Sequence, residues 1–133
     1  MAASPRLAHA RAYLTKAEEY LASAEANLAE ARYTPTAGDA VHAGISAKDA
    51  ILTVLTGSTS KRKDHAAAVK ELRSALGAHI EAAKAERALR ELIAAKAEVE
   101  YSTTLVTSSK AEPLVRRARA LVSIAIPLVR LGA

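Results

Sequence analysis

The chain has 133 residues, no cysteine, tryptophan or phenylalanine, and a formal net charge of +5. This length predicts one domain, 1–133, with a single core, and the lack of cysteine excludes disulfide frameworks, thiolate zinc sites and cysteine nucleophiles. The positive charge permits weak attraction to polyanions, but a chain whose only aromatic rings besides histidine are four tyrosines lacks the base-stacking platforms of typical single-strand nucleic-acid binders.

The first predicted helix runs from about Ser4 to Tyr33. Ser4 is its predicted N-cap, and Pro5 suits the first turn because an N–H there would have no acceptor. Leucine and alanine each recur every seven residues, at Leu7, Leu14, Leu21 and Leu28 and at Ala10, Ala17, Ala24 and Ala31. Such a seam requires a partner helix along its whole length. The stretch TPTAGD is predicted to end this helix and begin the next, with Thr34 or Thr36 as the cap.

The second predicted helix runs from about Thr36 to Thr56, and its apolar positions cover more than one side. This breadth indicates a central helix with several neighbours. Gly57 is a natural residue to follow the C-cap, and a polar loop comes after it. The third helix is predicted to start near Asp64, with Asp64 or a preceding serine as cap, and to end before Gly77.

The fourth predicted helix follows the third almost at once. Residues 101–112 are polar and β-branched and are predicted to form an ordered loop. The fifth helix is expected over about 109–131, with Pro127 kinking or fraying its last turn. Five helices joined by short loops predict an all-α antiparallel bundle.

The longest apolar stretch, from Leu121 to Val129, places Val122, Ile124 and Ile126 around more than one side of the fifth predicted helix. We expect a lone small bundle to have difficulty burying so much apolar surface, which predicts a homodimer. The stretch is too short to span a bilayer, and the start of the chain lacks the apolar run of a secretory signal. We therefore expect a cytoplasmic protein without a membrane contact.

Three stretches carry a resemblance to a known family: residues 10–33, AVHAGISAKDAILTVLTG in the second helix, and KDHAAAVKEL at the start of the third. The chain resembles the HEPN domain family, small all-α domains named for higher eukaryotes and prokaryotes nucleotide binding. In that family the second helix carries small residues and a lysine before an apolar run, as at Lys48, and the third begins with a histidine, as at His65. Tyr101 and Ala118 match the later helices.

The resemblance implies a helical bundle that commonly forms two-fold dimers. Some members are metal-independent ribonucleases of toxin modules, with an arginine and a histidine separated by a short spacer. Histidine exchanges a proton near neutral pH and arginine stabilises charge on the phosphate, so that the RNA 2′-hydroxyl attacks without a metal. Other members lack this pattern and act as partners of nucleotidyltransferases or as interaction modules.

Arg73 and His79 satisfy the ribonuclease spacing, with SALGA between them. Their position argues against catalysis, because the resemblance places the motif around residues 90–101, which contain Arg90 but no histidine. On a continuous helix this separation also turns the two side chains about 120° apart, and Gly77 is predicted to interrupt the helix. We therefore expect two exposed polar residues at a helix junction.

Two groups of basic side chains are candidates for binding RNA or phosphate. They are Lys61, Arg62, Lys63 and His65 around the start of the third helix, and Arg116 and Arg119 in the fifth. The alternative is that all of them are solvated surface residues. Lys48 and Asp49 are expected at the polar edge of the second helix, and His42 is expected to be buried or at a dimer seam.

No metal or cofactor is predicted, because the four histidines do not occur as neighbours on one helix face. The sequence thus predicts a non-catalytic HEPN-like binding module, a homodimer, that engages a protein partner or RNA. By analogy with the family, the setting is a toxin–antitoxin or nucleotidyltransferase-linked system. The alternatives are an endoribonuclease that uses Arg73 and His79, and a structural helical adaptor.

Overall fold

The computed structural model describes residues 4–59 and 64–132, and this part of the chain folds into helices without strands. The five helices are α1 (Pro5–Ala29), α2 (Tyr33–Thr56), α3 (His65–Leu76), α4 (Ala82–Tyr101) and α5 (Ser108–Leu131). The predicted all-α bundle is confirmed. Ser4 and Asp64 cap α1 and α3, since their side-chain oxygens accept the N–H groups of Leu7 and Ala67 at 3.2 and 3.1 Å.

α1 and α2 form an antiparallel hairpin. Near their connection, Ser23 donates a hydrogen bond to Asp39, whereas at the opposite end the Arg6 guanidinium lies against Gly57. α5 is antiparallel to α1 and to α4, because Arg119 pairs with Glu25 and Lys110 pairs with Glu98, while the C-terminal end of α5 lies near the start of α1.

The predicted boundary between the first two helices is wrong. α1 ends at Ala29 and α2 already begins at Tyr33, so TPT lies in the first turn of α2 and not in a loop. Ala31, predicted to continue the seam, is exposed and has a φ of 58°. Thr36 is buried in α2 and its hydroxyl donates to the Arg32 carbonyl oxygen at 2.7 Å.

α2 is the central helix, as its wide apolar surface predicts, because it contacts all four other helices. Two of these helices lie close to α2 at Gly44. A Cβ at this position would lie only 2.3 Å from Cδ1 of the buried Leu92 in α4 and 3.4 Å from Cδ1 of Leu121 in α5. Gly44 therefore lets three helices meet near the middle of the core.

Two expectations about α5 are wrong, the fraying of its last turn and the excess of apolar surface, while a kink at Pro127 stays a prediction. The helix does not fray at Pro127, since it continues to Leu131. Val122 and Ile124 are buried within the single chain, with 3% and 6% of their surface exposed, and Ile126 is partly buried against the same core. The single chain therefore covers the apolar surface that was expected to require a dimer. Within the described residues, no helix is long and apolar enough to cross a membrane.

Candidate functional site

Arg73 and His79 lie on either side of the break between α3 and α4. Arg73 is exposed in the last turn of α3, Gly77 follows with a φ of 55°, and His79 is exposed in the connecting turn. The His79 ring has a local role: Nδ1 accepts the backbone N–H of Glu81 at 3.0 Å, which leaves only Nε2 for contact with a ligand. Neither side chain lines the two clefts described below.

The basic candidates fall into three structural categories. Lys61, Arg62 and Lys63 lie outside the described residues, and of His65 only its place at the start of α3 is described. Arg116 is exposed on α5. Arg119 donates from Nε and Nη2 to one oxygen of Glu25, at 3.1 and 3.0 Å, so this guanidinium already has a carboxylate partner.

His42 is exposed, and the expectation of burial is wrong. Its ring stacks on Tyr20 of α1 with ring centroids 5.2 Å apart, and its Nε2 lies 3.7 Å from Oε1 of Glu100 in α4. The stack joins α1 and α2. Among the described residues, no group of three or more histidine, aspartate or glutamate side chains is arranged to hold a metal.

Lys48 is the residue whose position sequence reasoning missed. It is not at a polar edge: only 5% of its surface is exposed. Its Nζ lies 2.5 Å from Oδ1 of Asp49 and 3.4 Å from Oγ1 of Thr59, and the Thr59 hydroxyl donates to the same Asp49 oxygen at 2.6 Å. We call these three residues the Lys48 cluster. A buried ammonium needs such partners, because an unpaired charge is strongly unfavourable in a protein interior.

A signal for this burial exists in the sequence. Apolar residues of α2 recur at helical spacing on one side, and Lys48 occupies a place within that series, between Ile45 and Leu52. Such a stripe normally faces the core. A cation within it is therefore predicted to be buried and paired, and the adjacent Asp49 is the obvious partner.

Two clefts flank the loop after α2, and Ser58 and Thr59 line both of them. The α1–α2 cleft has a volume of about 400 Å³ and is lined by His9, Ala12, Tyr13, Lys16, Thr53, Gly57, Ser58 and Thr59. The α2–α3 cleft has about 590 Å³ and is lined by Leu52, Thr56, Ser58, Thr59, Lys70, Glu71, Ser74 and Ala75. The hydrogen bonds of the Lys48 cluster hold Thr59, which lies in the wall shared by the two clefts.

The charges of α1 are separated along its length. From residue 4 to residue 17 all ionisable side chains except tyrosine are basic, and from Glu18 to the end of the helix all are acidic. The basic side chains are Arg6, His9, Arg11 and Lys16. Because α1 and α2 are antiparallel, this basic half lies beside the C-terminal end of α2 and the α1–α2 cleft. The clefts, the buried Lys48 and the basic half of α1 therefore share one end of the bundle.

No protein-family model matches this sequence, and no curated protein matches it. The resemblance to HEPN domains therefore stays a prediction from the motifs named above, and the candidate site rests on the geometry of this chain.

Proposed function

We propose that this chain is a non-catalytic HEPN-like binding module, acting as a homodimer, and that its partner is a protein with an acidic surface. The observation that carries the proposal is the separation of charge along α1. The basic half, with Arg11 and Lys16 exposed on it, lies at the end of the bundle that holds both clefts. Electrostatic complementarity of this kind steers association and selects partners by charge.

A protein partner is favoured over RNA by the surroundings of the other cations. Lys110, Arg117 and Arg119 of α5 are paired with Glu98, Glu91 and Glu25, so they do not form a row of cations free to follow a phosphate backbone. Base stacking also needs exposed aromatic faces. Of the two tyrosines on the basic end and middle of α1, Tyr13 is half-buried and Tyr20 already stacks on His42.

The lack of catalysis is supported by the positions of Arg73 and His79. Metal-independent cleavage of RNA needs both side chains at one phosphate, with the histidine free to exchange a proton. Here Gly77 separates the two residues, both side chains are exposed, and Nδ1 of His79 accepts the backbone N–H of Glu81. The proposed setting, a toxin–antitoxin or nucleotidyltransferase-linked system, comes from the HEPN resemblance.

The homodimer is supported by that resemblance and by large apolar side chains that stay exposed. Tyr101 and Leu105, each 81% exposed, lie at the connection between α4 and α5. Light scattering of the purified chain at micromolar concentration tests the dimer. A monomer across that range contradicts this part of the proposal.

The partner class is tested by fluorescence anisotropy with two labelled probes of equal charge, an oligoglutamate peptide and an oligouridylate RNA. We expect tighter binding of the peptide, and we expect Arg11→Glu to weaken it several-fold while Arg116→Glu, the matched control on α5, changes it little. Tighter binding of the RNA would identify RNA as the partner class. Cleavage of the RNA in EDTA that is lost in His79→Ala would establish the endoribonuclease instead.

A further inference from the structure

We propose that the α1–α2 cleft is the point at which an acidic side chain of the protein partner is bound, as a carboxylate held by Lys16 and by the Ser58 hydroxyl, with Lys48 behind the cleft wall. This inference rests on the proposed function and assigns a site and a ligand group to it. Four observations carry it: the composition of the cleft, the buried ammonium, the size of the cleft and the charge around it.

The lining of the cleft is suited to an anion. Lys16 supplies an ammonium on the α1 side and Ser58 supplies a hydroxyl on the other. The hydroxyl of Thr59 already donates its hydrogen to Asp49. None of the lining residues is acidic. The rest of the wall, Ala12 and the Tyr13 ring, is apolar enough to pack against the methylene groups of a glutamate or aspartate side chain.

Lys48 adds a buried charge behind the cleft wall. Its side chain is 7% exposed, and its Nζ has two acceptors within reach, on Asp49 and Thr59. The ammonium offsets the negative charge of Asp49, so that the wall behind the cleft does not repel an anion. Thr59, which lines the cleft, is the residue that separates Lys48 from it.

The ligand group is more compatible with a carboxylate than with a phosphate. The cleft volume of about 400 Å³ is near the lower limit for small-molecule sites, which suits one or two side chains. Asp49, whose side chain is 18% exposed, places a negative charge beside Lys48. Because Lys48 and Asp49 offset each other, Lys16 is the one lysine that faces the ligand among the lining residues, and its single charge matches a carboxylate better than a doubly charged phosphate.

Arg6 belongs to the edge of the site and not to its centre. A Cβ at Gly57 would lie 2.6 Å from Nη2 of Arg6, so the guanidinium lies directly against the residue that ends α2. A cation at this place is favoured by the dipole of α2. It keeps the rim of the cleft positive and leaves the interior to Lys16.

The test is a ¹H–¹⁵N NMR titration of the full chain with the oligoglutamate peptide. We expect the amide signals of Gly57, Ser58 and Thr59 to shift and saturate, while the signals of residues 102–106, at the other end of the bundle, stay in place. We expect Lys16→Ala to weaken binding about tenfold, which corresponds to about 1.4 kcal/mol and to the loss of one charge-assisted hydrogen bond.

Two more variants examine the wall opposite Lys16 and the lysine behind it. Ser58→Ala removes the hydroxyl that lines the cleft, and Lys48→Met removes the ammonium; both should weaken binding of the peptide while Arg116→Ala should not. Should Lys48→Met prove unfolded by circular dichroism, Lys16→Ala and Ser58→Ala decide the matter, since both change exposed side chains.

The outcomes separate this inference from the proposed function. When Arg11→Glu weakens binding of the peptide but Lys16→Ala and Ser58→Ala do not, the module binds acidic proteins elsewhere and the inference is wrong. Equal shifts with an oligoglutamine peptide, or saturation of the same amides by inorganic phosphate at lower concentration than by the peptide, also overturn it. When no oligoglutamate binds at all, the proposed function itself fails.

Discussion

The α1–α2 hairpin has two ends of different construction. At the α1–α2 connection the chain turns within three residues, Ala31 takes a left-handed conformation, and Asp39 accepts hydrogen bonds from Ser23 and Asn27 at 2.6 and 3.1 Å. At the other end α2 stops at Gly57, also left-handed, and the chain leads into a loop held by the Lys48 cluster.

The difference teaches where this bundle uses polar side chains for structure and where it leaves them accessible to a partner. The hydrogen bonds to Asp39 lie beside the acidic half of α1 and connect α1 directly to α2. The Lys48 cluster connects α2 to the loop that follows it. This loop lies beside the two clefts and near the basic half of α1. The first arrangement stabilises a turn, whereas the second supports a surface that a ligand can reach.

Among the variants that test this comparison, Lys48→Ala is expected to have the largest effect on stability. The change removes the cation that faces Asp49 and leaves a space in the interior. Breaking a fully buried ion pair costs about 3–5 kcal/mol; since the Asp49 side chain is 18% exposed, we expect a loss of about 2–3 kcal/mol of unfolding free energy. Urea denaturation followed by circular dichroism measures this, at one protein concentration for all variants.

The matched change at the other end of the hairpin is Ser23→Ala. It removes one exposed donor to Asp39, while Asn27 continues to donate to the same carboxylate. We expect a loss of at most about 1 kcal/mol. Equal losses in Lys48→Ala and Ser23→Ala would show that the two polar clusters contribute to stability in the same way, contrary to the comparison.

Gly57→Ala changes the residue that ends α2. A φ of 90° disfavours a residue with a Cβ by about 1–2 kcal/mol, and the new methyl group would also meet the Arg6 guanidinium. We expect the free energy of unfolding to fall by about 2 kcal/mol. The double variant Gly57→Ala with Arg6→Ala separates the two terms: recovery of part of the loss identifies the contact, and no recovery attributes the whole loss to the backbone.

These two left-handed residues show what the sequence can predict about this fold. The end of α2 is predictable because Gly57 and the polar residues after it form a recognisable stop signal. The end of α1 is not, because Ala31 stands where glycine is usual and continues the alanine series. The hydrogen bonds from Arg32 to the Asn27 carbonyl and from Ala31 to the Leu28 carbonyl end the helix without any such signal.

The candidate site divides in the same way. The basic residues of α1 are visible in the sequence, but their proximity to the loop after α2 depends on the antiparallel pairing of two helices. The charge of Lys48 suggests the polar edge of α2, but its position in an apolar series indicates the core, where the structure places it. For α5 the error is the opposite one. Its apolar residues are expected to exceed what one chain can bury, whereas α2 covers part of them from the centre of the bundle.

Gly44 and Gly38 lie along α2 between the two ends of the hairpin and offer a matched pair. A Cβ at Gly44 would collide with the buried Leu92, whereas at Gly38 the nearest atom is Cγ1 of Val99 at 3.8 Å, an ordinary contact. Alanine is favoured over glycine inside a helix by about 1 kcal/mol, while overpacking a core costs about 1–3 kcal/mol. We expect Gly38→Ala to stabilise the protein and Gly44→Ala to destabilise it by about 1 kcal/mol.

The opposite signs are what make this pair decisive. Stabilisation by both variants would mean that Leu92 can move aside and that the centre of the bundle is less tightly packed than its distances indicate. Destabilisation by both would mean that α2 tolerates no added methyl group on either side. Thermal denaturation with both variants and the parent chain measured together distinguishes these results.

Ala31→Gly is expected to have the smallest effect, and it is the only change at either end of the hairpin that should stabilise the protein. Glycine at a φ of 58° avoids the clash that disfavours alanine there by about 1–2 kcal/mol. Glycine also gives the unfolded chain more conformational freedom, which lowers the free energy of unfolding by about 0.4–1 kcal/mol. The net gain should be about 0.5–1 kcal/mol in unfolding free energy.

Ala26→Gly, an exposed position inside α1, is the control and should cost about 1 kcal/mol. A loss in both variants would mean that residue 31 is helical in solution and that α1 continues beyond Ala29, which would remove the structural difference between the two ends of the hairpin.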